Sequence, residues 1–229
     1  MKPLRISFVG TGNVSWHLSD ALFQAGHHIQ EFAGRNLEQA EIYARRVEAE
    51  PLGSSALLSA QVDLIFLCIS DGAIASVAQQ IPKGPAALVH CSGAQPLLQM
   101  PDRPTGVFYP LQTIRREKRL HWPSLPLFVE GSDMECTALL FDLASQLSQE
   151  VAMLQSEERK KLHLAGVFAS NFVNFSWLLA RDLCHKAGVD PELMHPLMEE
   201  TLAKCLELGP EDAMTGPAYR NDIPSLEAH

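Results

Sequence analysis

The chain has 229 residues, with 46% hydrophobic and 20% charged residues and a formal net charge of −9. This length suits one large domain or two small ones, and the composition is that of an ordinary globular protein. The negative charge argues against nucleic acid or an anionic membrane as the main partner.

Up to about Glu150, short apolar runs alternate with segments of helical character. We predict strands at 6–9, 29–33, 62–68, 87–90, 107–109 and 127–129, and helices at 13–24, 37–47, 73–80 and 134–148. Strands that alternate with helices in this way predict a doubly wound parallel sheet of the Rossmann type.

The rest of the chain is predicted to be helical. No proline interrupts residues 156–187, Gly188 can end that helix, and Asp190-Pro191 can begin a second one. We therefore expect an α/β fold with a Rossmann-type domain over residues 1–153, followed by an all-helical domain over residues 154–229.

A glycine-rich turn joins the first strand to the first helix. It contains Gly10, Thr11, Gly12, Asn13, Val14 and Ser15, a G-x-G-x-x-S pattern. Between a strand and a helix, this pattern predicts a pyrophosphate site, because Gly10 makes the tight turn, Gly12 leaves room for the anion and the helix offers free N–H groups. Ser15 is small enough for the helix to pack closely on the strand. The alternative is an ordinary strand–helix turn.

The end of the second strand bears on the choice between NAD and NADP. An NAD site places an acidic residue there, whereas this chain has Arg35 and Asn36. Arginine matches a 2′-phosphate in charge and geometry, so we predict NADP as the cofactor, with both residues among its contacts. Glu31 stands too early to bind the ribose unless the register differs. Arg35 is alternatively a solvated loop residue.

Two further strand ends face the same crevice. Ile69 and Ser70 follow one strand, and Cys91-Ser92 follows the next. Because ligands bind beyond the carboxyl ends of strands in open α/β sheets, we predict cofactor contacts from Ile69, Ser70 and Ser92. We interpret Asp71 as a helix cap and Cys91 as a small packing residue.

The cysteines and the N-terminus bear on the compartment. The five cysteines are odd in number and include no C-x-x-C pair, which argues against a disulfide framework or a cysteine-rich metal site. We expect a reducing cytoplasm and no metal. We also expect no signal peptide, and no apolar stretch that reaches membrane-spanning length without interruption.

Polar side chains follow one side of the long predicted helix. His163, Ser170 and Asn174 fall within a narrow arc at helical spacing, with Asn171 beside them. If this arc faces the nicotinamide, His163 can exchange the proton that accompanies hydride transfer, while either asparagine holds a carbonyl or imine and Ser170 contacts the substrate. Alternatively, these residues bond to neighbouring helices or to a dimer partner.

Several motifs together resemble one family. They are the glycine-rich turn, His90-Cys91-Ser92-Gly93, Tyr109-Pro110-Leu111-Gln112-Thr113, His163-x7-Asn171-Phe172 and Thr215-Gly216-Pro217-x2-Arg220-x-Asp222, in this order. The chain resembles the Rossmann-like proteins with a DUF2520 C-terminal domain, which are often named NADP oxidoreductases. It is more distantly similar to pyrroline-5-carboxylate reductase and to enzymes like 6-phosphogluconate dehydrogenase.

The resemblance implies a helical second domain that forms a homodimer, a substrate site between the domains, and a further helix beyond the end of this sequence. Thr215-Gly216-Pro217 resembles the Ser-Gly-Pro turn near the active site of pyrroline-5-carboxylate reductase. Arg220 is therefore expected to bind a substrate carboxylate, unless it pairs with Asp222. Many relatives have histidine in place of Tyr109, which argues against a catalytic role for that position.

These features predict an NADP(H)-dependent reductase of a small polar carbonyl or imine. The distant dehydrogenases use a lysine four residues before an asparagine on the corresponding helix, and here those positions are Val167 and Ser170. The missing lysine favours a rival, a non-catalytic NADP(H)-binding sensor or interaction protein. A third hypothesis is an imine-specific reductase like the pyrroline-carboxylate enzymes.

Overall fold

The computed structural model of the chain describes residues 2–59, 61–216, 219 and 221–228. The chain divides into two compact units, Met1–Ser170 and Asn171–His229. The sequence places the change in pattern near residue 154, where the long helix begins. The division between the compact units falls inside that helix, because its first turns belong with the sheet.

The first unit is built on one sheet. Its strands are β1 (Arg5–Val9), β2 (His28–Ala33), β3 (Glu50–Leu52), β4 (Leu64–Leu67), β5 (Ala87–His90), β6 (Thr105–Pro110), β7 (Leu127–Gly131) and β8 (Val151–Met153). Its α-helices are α1 (Asn13–Gln24), α2 (Leu37–Arg46), α3 (Ile74–Ala78), α4 (Met134–Ser145) and α5 (Ser156–Val167).

The strand order confirms the predicted Rossmann-type sheet. The eight strands lie in the order β3-β2-β1-β4-β5-β6-β7-β8. Neighbouring strands are parallel except β6 and β7, which are antiparallel. No α-helix crosses the sheet between β6 and β7, so the chain returns alongside β6 in the opposite direction. The short strands β3 and β8 were not predicted from the sequence.

Apolar side chains form two buried clusters in the first unit. One contains Phe8 and Leu18, and the other contains Val9 and Ile74. Phe8 and Val9 are consecutive on β1, so their side chains leave opposite faces of the sheet. The sheet is therefore covered on both faces by its own helices, as a parallel sheet requires.

The long predicted helix is present over Ser156–Ala187 and ends at Gly188. It consists of α5, a π-turn at Phe168–Phe172 and α6 (Val173–Ala187). The π-turn interrupts the regular α-helical spacing. The polar arc from His163 to Asn174, which was predicted with constant spacing, therefore does not continue unchanged along the helix. Among the described residues this is the one helix that could cross a membrane by length and composition alone, which corrects the expectation that no segment reaches that length.

The second unit is all-helical, as predicted. It contains α6, a 3₁₀ turn at Pro191–Met194, α7 (His195–Leu208), α8 (Pro210–Ala213) and α9 (Ile223–Ala228). Asp190 caps the 3₁₀ turn by accepting a hydrogen bond from the Glu192 N–H at 3.0 Å. None of the residues described in this unit is buried.

Candidate active site

The glycine-rich turn between β1 and α1 is built around Gly10. This residue has φ +106°, a backbone conformation that L side chains rarely adopt. A Cβ atom here would overlap the carbonyl oxygen of Cys68 at the end of β4. The Gly10 N–H donates to the Ala33 carbonyl at 2.8 Å. The fold itself therefore demands glycine at this position.

Gly12 differs from Gly10, because the fold does not demand it. Its backbone is extended, and an added Cβ would make only an ordinary contact with Cys68 O at 3.7 Å. The missing side chain leaves space at the N-terminus of α1, where free N–H groups favour an anion. Buried Ser15 donates its hydroxyl hydrogen to Gly12 O at 2.9 Å and fits where the helix meets the strand. The turn thus has the cradle that a pyrophosphate needs.

The other members of the turn contact neighbouring segments. Thr11 lies against Gly34 in the β2–α2 connection, and Val14 packs on the core. Asn13 Nδ2 donates to the carbonyl oxygen of Ile114, in the loop after β6, at 2.9 Å. The side chain of Asn13 therefore holds a loop beside the turn, a use that the sequence did not reveal.

Arg35 and Asn36 lie at the carboxyl end of β2, as predicted. Arg35 is exposed, and no acidic side chain in the described part of the chain pairs with it. Asn36 caps α2 by accepting the Gln39 N–H at 3.1 Å. Glu31 is buried and accepts from Ser7 Oγ at 2.6 Å and the Ser59 N–H at 2.7 Å. Because its carboxylate is used in these buried hydrogen bonds, Glu31 has a structural role. Arg35 is then the exposed charged residue that follows β2.

The ends of β4 and β5 place the other predicted cofactor residues. Ile69 packs against Gly10, and Ser70 is exposed at the start of a 3₁₀ turn. The hydroxyl of Ser92 is buried and accepts the N–H groups of Ala94 and Gln95 at 3.1 and 3.0 Å. Ser92 therefore shapes its own loop.

Tyr109, at the end of β6, contacts His163 on α5. The Tyr109 Oη lies 3.0 Å from His163 Nδ1, and the two rings meet edge to face. Burial raises the pKa of Tyr109, so its hydroxyl keeps its proton at neutral pH. The sequence argued against a catalytic role here, but the structure joins this hydroxyl to the predicted catalytic histidine. The two rings form a hydrogen-bonded pair that can store and transfer a proton.

Gly93 makes room for this pair. A Cβ on Gly93 would lie 2.6 Å from His163 Nδ1 and 2.7 Å from Tyr109 Cζ, so any larger residue would push the rings aside. The motifs that contain Gly93, Tyr109 and His163 are distant in sequence and meet in the fold. The presence of all three motifs in one chain pointed to the family, but it did not indicate that these residues are in contact.

A buried ion pair fixes α5 one helical turn before His163. The guanidinium of Arg159 binds the carboxylate of Glu130 on β7 and donates to Gln95 O at 2.7 Å. Ser156 adds hydrogen bonds from its N–H and hydroxyl to Glu130 at 2.9–3.1 Å. This anchor sets the position from which the His163 ring reaches Tyr109. Nothing in the sequence pattern linked Arg159 to Glu130.

His90 is a structural histidine at the end of β5. Burial lowers its pKa to about 4, so the ring is neutral at physiological pH. Its Nδ1 accepts the Ser92 N–H at 3.2 Å, and its Nε2 lies 3.1 Å from Pro96 O. The neutral ring therefore holds the loop that carries Ser92 and Gly93.

Three further predicted residues follow His163 on the long helix. Ser170 donates its hydroxyl hydrogen to Gly166 O at 2.7 Å, within the helix. In the second unit, Asn171 and Asn174 are exposed. Asn174 lines a groove of about 340 Å³ together with Trp177, Arg181 and His195.

Arg220 lies outside the described residues, so its carboxylate-binding role remains a prediction. Asp222, its suggested partner, accepts hydrogen bonds from Ser225 N–H at 3.4 Å and Ser225 Oγ at 2.8 Å, which caps α9.

Two family descriptions match separate parts of the chain. Residues 5–90 match the family described as NADP oxidoreductase, coenzyme F420-dependent. Residues 125–229 match the domain of unknown function DUF2520. The first match covers the glycine-rich turn, and the second covers β7 and everything after it. No protein among those of curated function matches the chain.

Solved structures match the chain over nearly its whole length. A provisionally named NADP oxidoreductase from Bacteroides fragilis is 36% identical, with a TM-score of 0.90 over 99% of this chain and 90% of that one. A protein from Thermotoga maritima is 25% identical, with a TM-score of 0.81 over 97% and 88%. The 1-pyrroline-5-carboxylate reductase of Streptococcus pyogenes is 16% identical, with a TM-score of 0.71 over 100% and 92%, which shows a shared fold.

Proposed function

The chain belongs to the family of NADP oxidoreductases that carry a DUF2520 domain, and we propose that it is an NADP(H)-dependent reductase of a small polar carbonyl or imine. The observation that carries this proposal is the hydrogen bond between Tyr109 Oη and His163 Nδ1, in the same unit as the dinucleotide turn. A reductase of this kind needs a dinucleotide site and a proton source. Both are available in the first unit.

Each group of residues has a distinct task in this proposal. The turn around Gly12 binds the pyrophosphate, and Arg35 binds the 2′-phosphate. The bound cofactor supplies the hydride. Tyr109 donates the proton from Oη to the substrate oxygen or nitrogen, and it recovers a proton from His163. Because burial raises the pKa of Tyr109, the hydroxyl holds that proton until a base forms on the substrate.

The substrate contacts are proposals from the sequence. We assign the carbonyl or imine to Asn171 or Asn174, and we assign the polar or carboxylate end to Ser170 and Arg220. The likeness in fold to the pyrroline-carboxylate enzyme supports cyclic imines as the first compounds to screen. Small ketones with a carboxylate form the second group.

Calorimetric titration with NADPH and NADH tests the cofactor. We expect NADPH to bind more tightly, and Arg35→Ala to remove that preference, because the forked guanidinium matches a phosphate. Arg45→Ala is the matched control, since it removes the same charge from the exposed face of α2. Equal affinity for both dinucleotides in the unaltered chain would overturn the choice of NADP.

Turnover of a screened substrate tests the proton source. Tyr109→Phe removes only the hydroxyl, and His163→Ala removes its partner. Loss of a general acid typically slows a reaction by about 10²–10⁴-fold, so both variants should lose turnover while NADPH binding is retained. Unchanged turnover in both variants would remove the pair from the mechanism.

The rival function is a sensor that binds NADP(H) without turnover. It is favoured by Val167 and Ser170, which occupy the positions where the distant dehydrogenases have lysine. It predicts NADPH binding, no oxidation with any carbonyl or imine, and a cofactor-dependent change in oligomeric state. Sedimentation with and without NADPH separates it from the reductase.

We also propose that the second unit pairs with a second copy of this chain, in the cytoplasm. Several leucines on its helices are exposed, including Leu183 at 63%, Leu197 at 60% and Leu206 at 78%. Large apolar patches are uncommon on monomeric proteins, which supports an interface at these leucines. A sedimentation experiment should therefore report a dimer, and a monomer at micromolar concentration would contradict the proposal.

A further inference from the structure

Two cysteine thiols meet at the carboxyl edge of the sheet. Cys68 directly follows β4, and Cys91 directly follows β5. These strands are parallel neighbours, and their last paired residues are Leu67 and His90, so the two cysteines come next in register. Their Sγ atoms are 3.7 Å apart, and both cysteines are unoxidised.

This thiol pair lies between the dinucleotide turn and the Tyr109–His163 pair. The carbonyl oxygen of Cys68 occupies the space where a Cβ on Gly10 would stand. Cys91 lies two residues before Gly93, which is packed against His163 and Tyr109. The thiol pair is therefore joined to both parts of the proposed site, to the turn through the Cys68 carbonyl and to the two rings through the backbone from Cys91 to Gly93.

The two thiols differ in their access to solvent. Cys68 is buried, whereas Cys91 is only partly buried. The contact with Cys91 and burial raise the pKa of Cys68 well above its ordinary value, so Cys68 remains protonated. An oxidant in solution consequently reaches Cys91 first, and Cys68 is the nearby thiol that can react with the oxidised sulfur.

We propose that Cys68 and Cys91 form a reversible disulfide that weakens NADP(H) binding when the protein is oxidised by a peroxide. The Cys91 thiol gives up its proton, and its sulfur attacks one peroxide oxygen, so that an S–O bond forms and the O–O bond breaks. A sulfenic acid remains on Cys91, and the leaving hydroxide takes up the proton and departs as water. The sulfur of Cys68 then attacks the sulfenic sulfur, the S–S bond forms and a second water leaves with the Cys68 proton. Two thiols lose two electrons in total, and the peroxide gains them. A dithiol reverses the reaction by exchange.

The geometry explains why this disulfide would weaken binding at the proposed cofactor site. The sulfurs must approach from 3.7 Å to about 2 Å. That movement draws together the ends of β4 and β5, and the end of β4 is already in contact with Gly10. The Cys68 carbonyl leaves no space for a Cβ on Gly10, so a shift of Cys68 acts directly on the turn to which we assign the pyrophosphate. This coupling rests on the proposed cofactor site, whereas formation of the disulfide does not.

Intact mass measurement of the full chain after treatment with hydrogen peroxide tests the bond. We expect the protein to lose the mass of two hydrogen atoms, and a peptide map to join the segments that contain Cys68 and Cys91. Cys91→Ser should abolish the loss, whereas Cys184→Ser, which removes a partly buried thiol in the second unit, should not. Gain of oxygen atoms without a cross-link would overturn the proposal.

NADPH titration of the reduced, oxidised and dithiothreitol-treated protein tests the coupling. We expect oxidation to weaken NADPH binding by at least about tenfold and dithiothreitol to restore it, with no effect of peroxide in Cys91→Ser. Equal affinity before and after cross-linking would overturn the coupling. If the reduced protein bound no NADPH, the proposed function would fail, while the mass measurement would still decide the disulfide.

Discussion

The two compact units of this chain differ in how they cover their apolar side chains. In the first unit, Phe8, Leu64 and Phe66 are completely buried between the sheet and its own helices. In the second unit, none of the described residues is buried, and leucines such as Leu183 and Leu206 are exposed. The first unit thus contains its own core, whereas the second leaves these apolar side chains exposed. This contrast is why we assign those side chains to an interface with a second copy.

The largest effect is expected at the ion pair that joins α5 to β7 within the first unit. Arg159→Met leaves the carboxylate of Glu130 buried without its partner, which should destabilise the protein by about 3–5 kcal/mol. Urea unfolding measures this cost, and proteolysis should become faster near Ser156. The double variant Arg159→Met with Glu130→Gln removes both charges and should recover part of the loss. A double variant no more stable than the single one would show that the charge pair is not the cause.

A matched pair of leucine variants tests the contrast directly. Leu64→Ala removes a fully buried side chain and should cost about 2–5 kcal/mol. Leu183→Ala removes a side chain that is 63% exposed, and the cost to the isolated chain should be below about 1 kcal/mol. It should instead weaken self-association in a sedimentation experiment. If the two variants had similar unfolding costs and unchanged association, the units would not differ in how they use their apolar side chains.

Acid should destabilise the first unit through His90. The ring has a pKa of about 4 in the folded protein, whereas an unfolded histidine titrates near 6.5. Between these values the unfolded chain binds the proton and the folded chain does not, so stability falls as the pH falls. The loss reaches about 3 kcal/mol near pH 4 and is absent above about pH 7.

Denaturant titrations across this pH range measure the effect. A His90→Gln variant should lose this part of the pH dependence, although it should be less stable at neutral pH. His28→Gln, at an exposed position on β2, is the control and should change the pH dependence less than His90→Gln does. A His90 variant with the same slope as the unaltered protein would assign the acid sensitivity to other groups.

The smallest effect is expected at the helix caps. Asn36→Ala removes the acceptor for the Gln39 N–H and should cost about 1 kcal/mol in the unfolding of the first unit. Asp190→Ala removes the corresponding acceptor for Glu192 in the second unit. Hydrogen exchange should then increase in the 3₁₀ turn that Asp190 caps, with little change in the first unit. If Asp190→Ala loosened both units equally, they would not be separate in stability.

Local patterns in the sequence determined most of the architecture. The bounds of α1 and β5 agree with the predicted ranges, and the long helix begins and ends where expected. The dinucleotide turn was also predictable, because a tight turn and a small residue against the strand are requirements on adjacent positions. Such features depend on residues within a few positions of one another, so the sequence displays them directly.

The contacts that define the candidate site were decided by the tertiary structure. Tyr109 meets His163, and Cys68 meets Cys91, because of the order and register of β4, β5 and β6 and the placement of α5 on the sheet. The role of Ser92 was also decided by the tertiary structure. His90, at the end of β5, accepts the Ser92 N–H, and the Ser92 hydroxyl accepts the Ala94 N–H within the same loop. Strand order and helix placement follow from the packing of the whole core, and no short stretch of sequence contains that information.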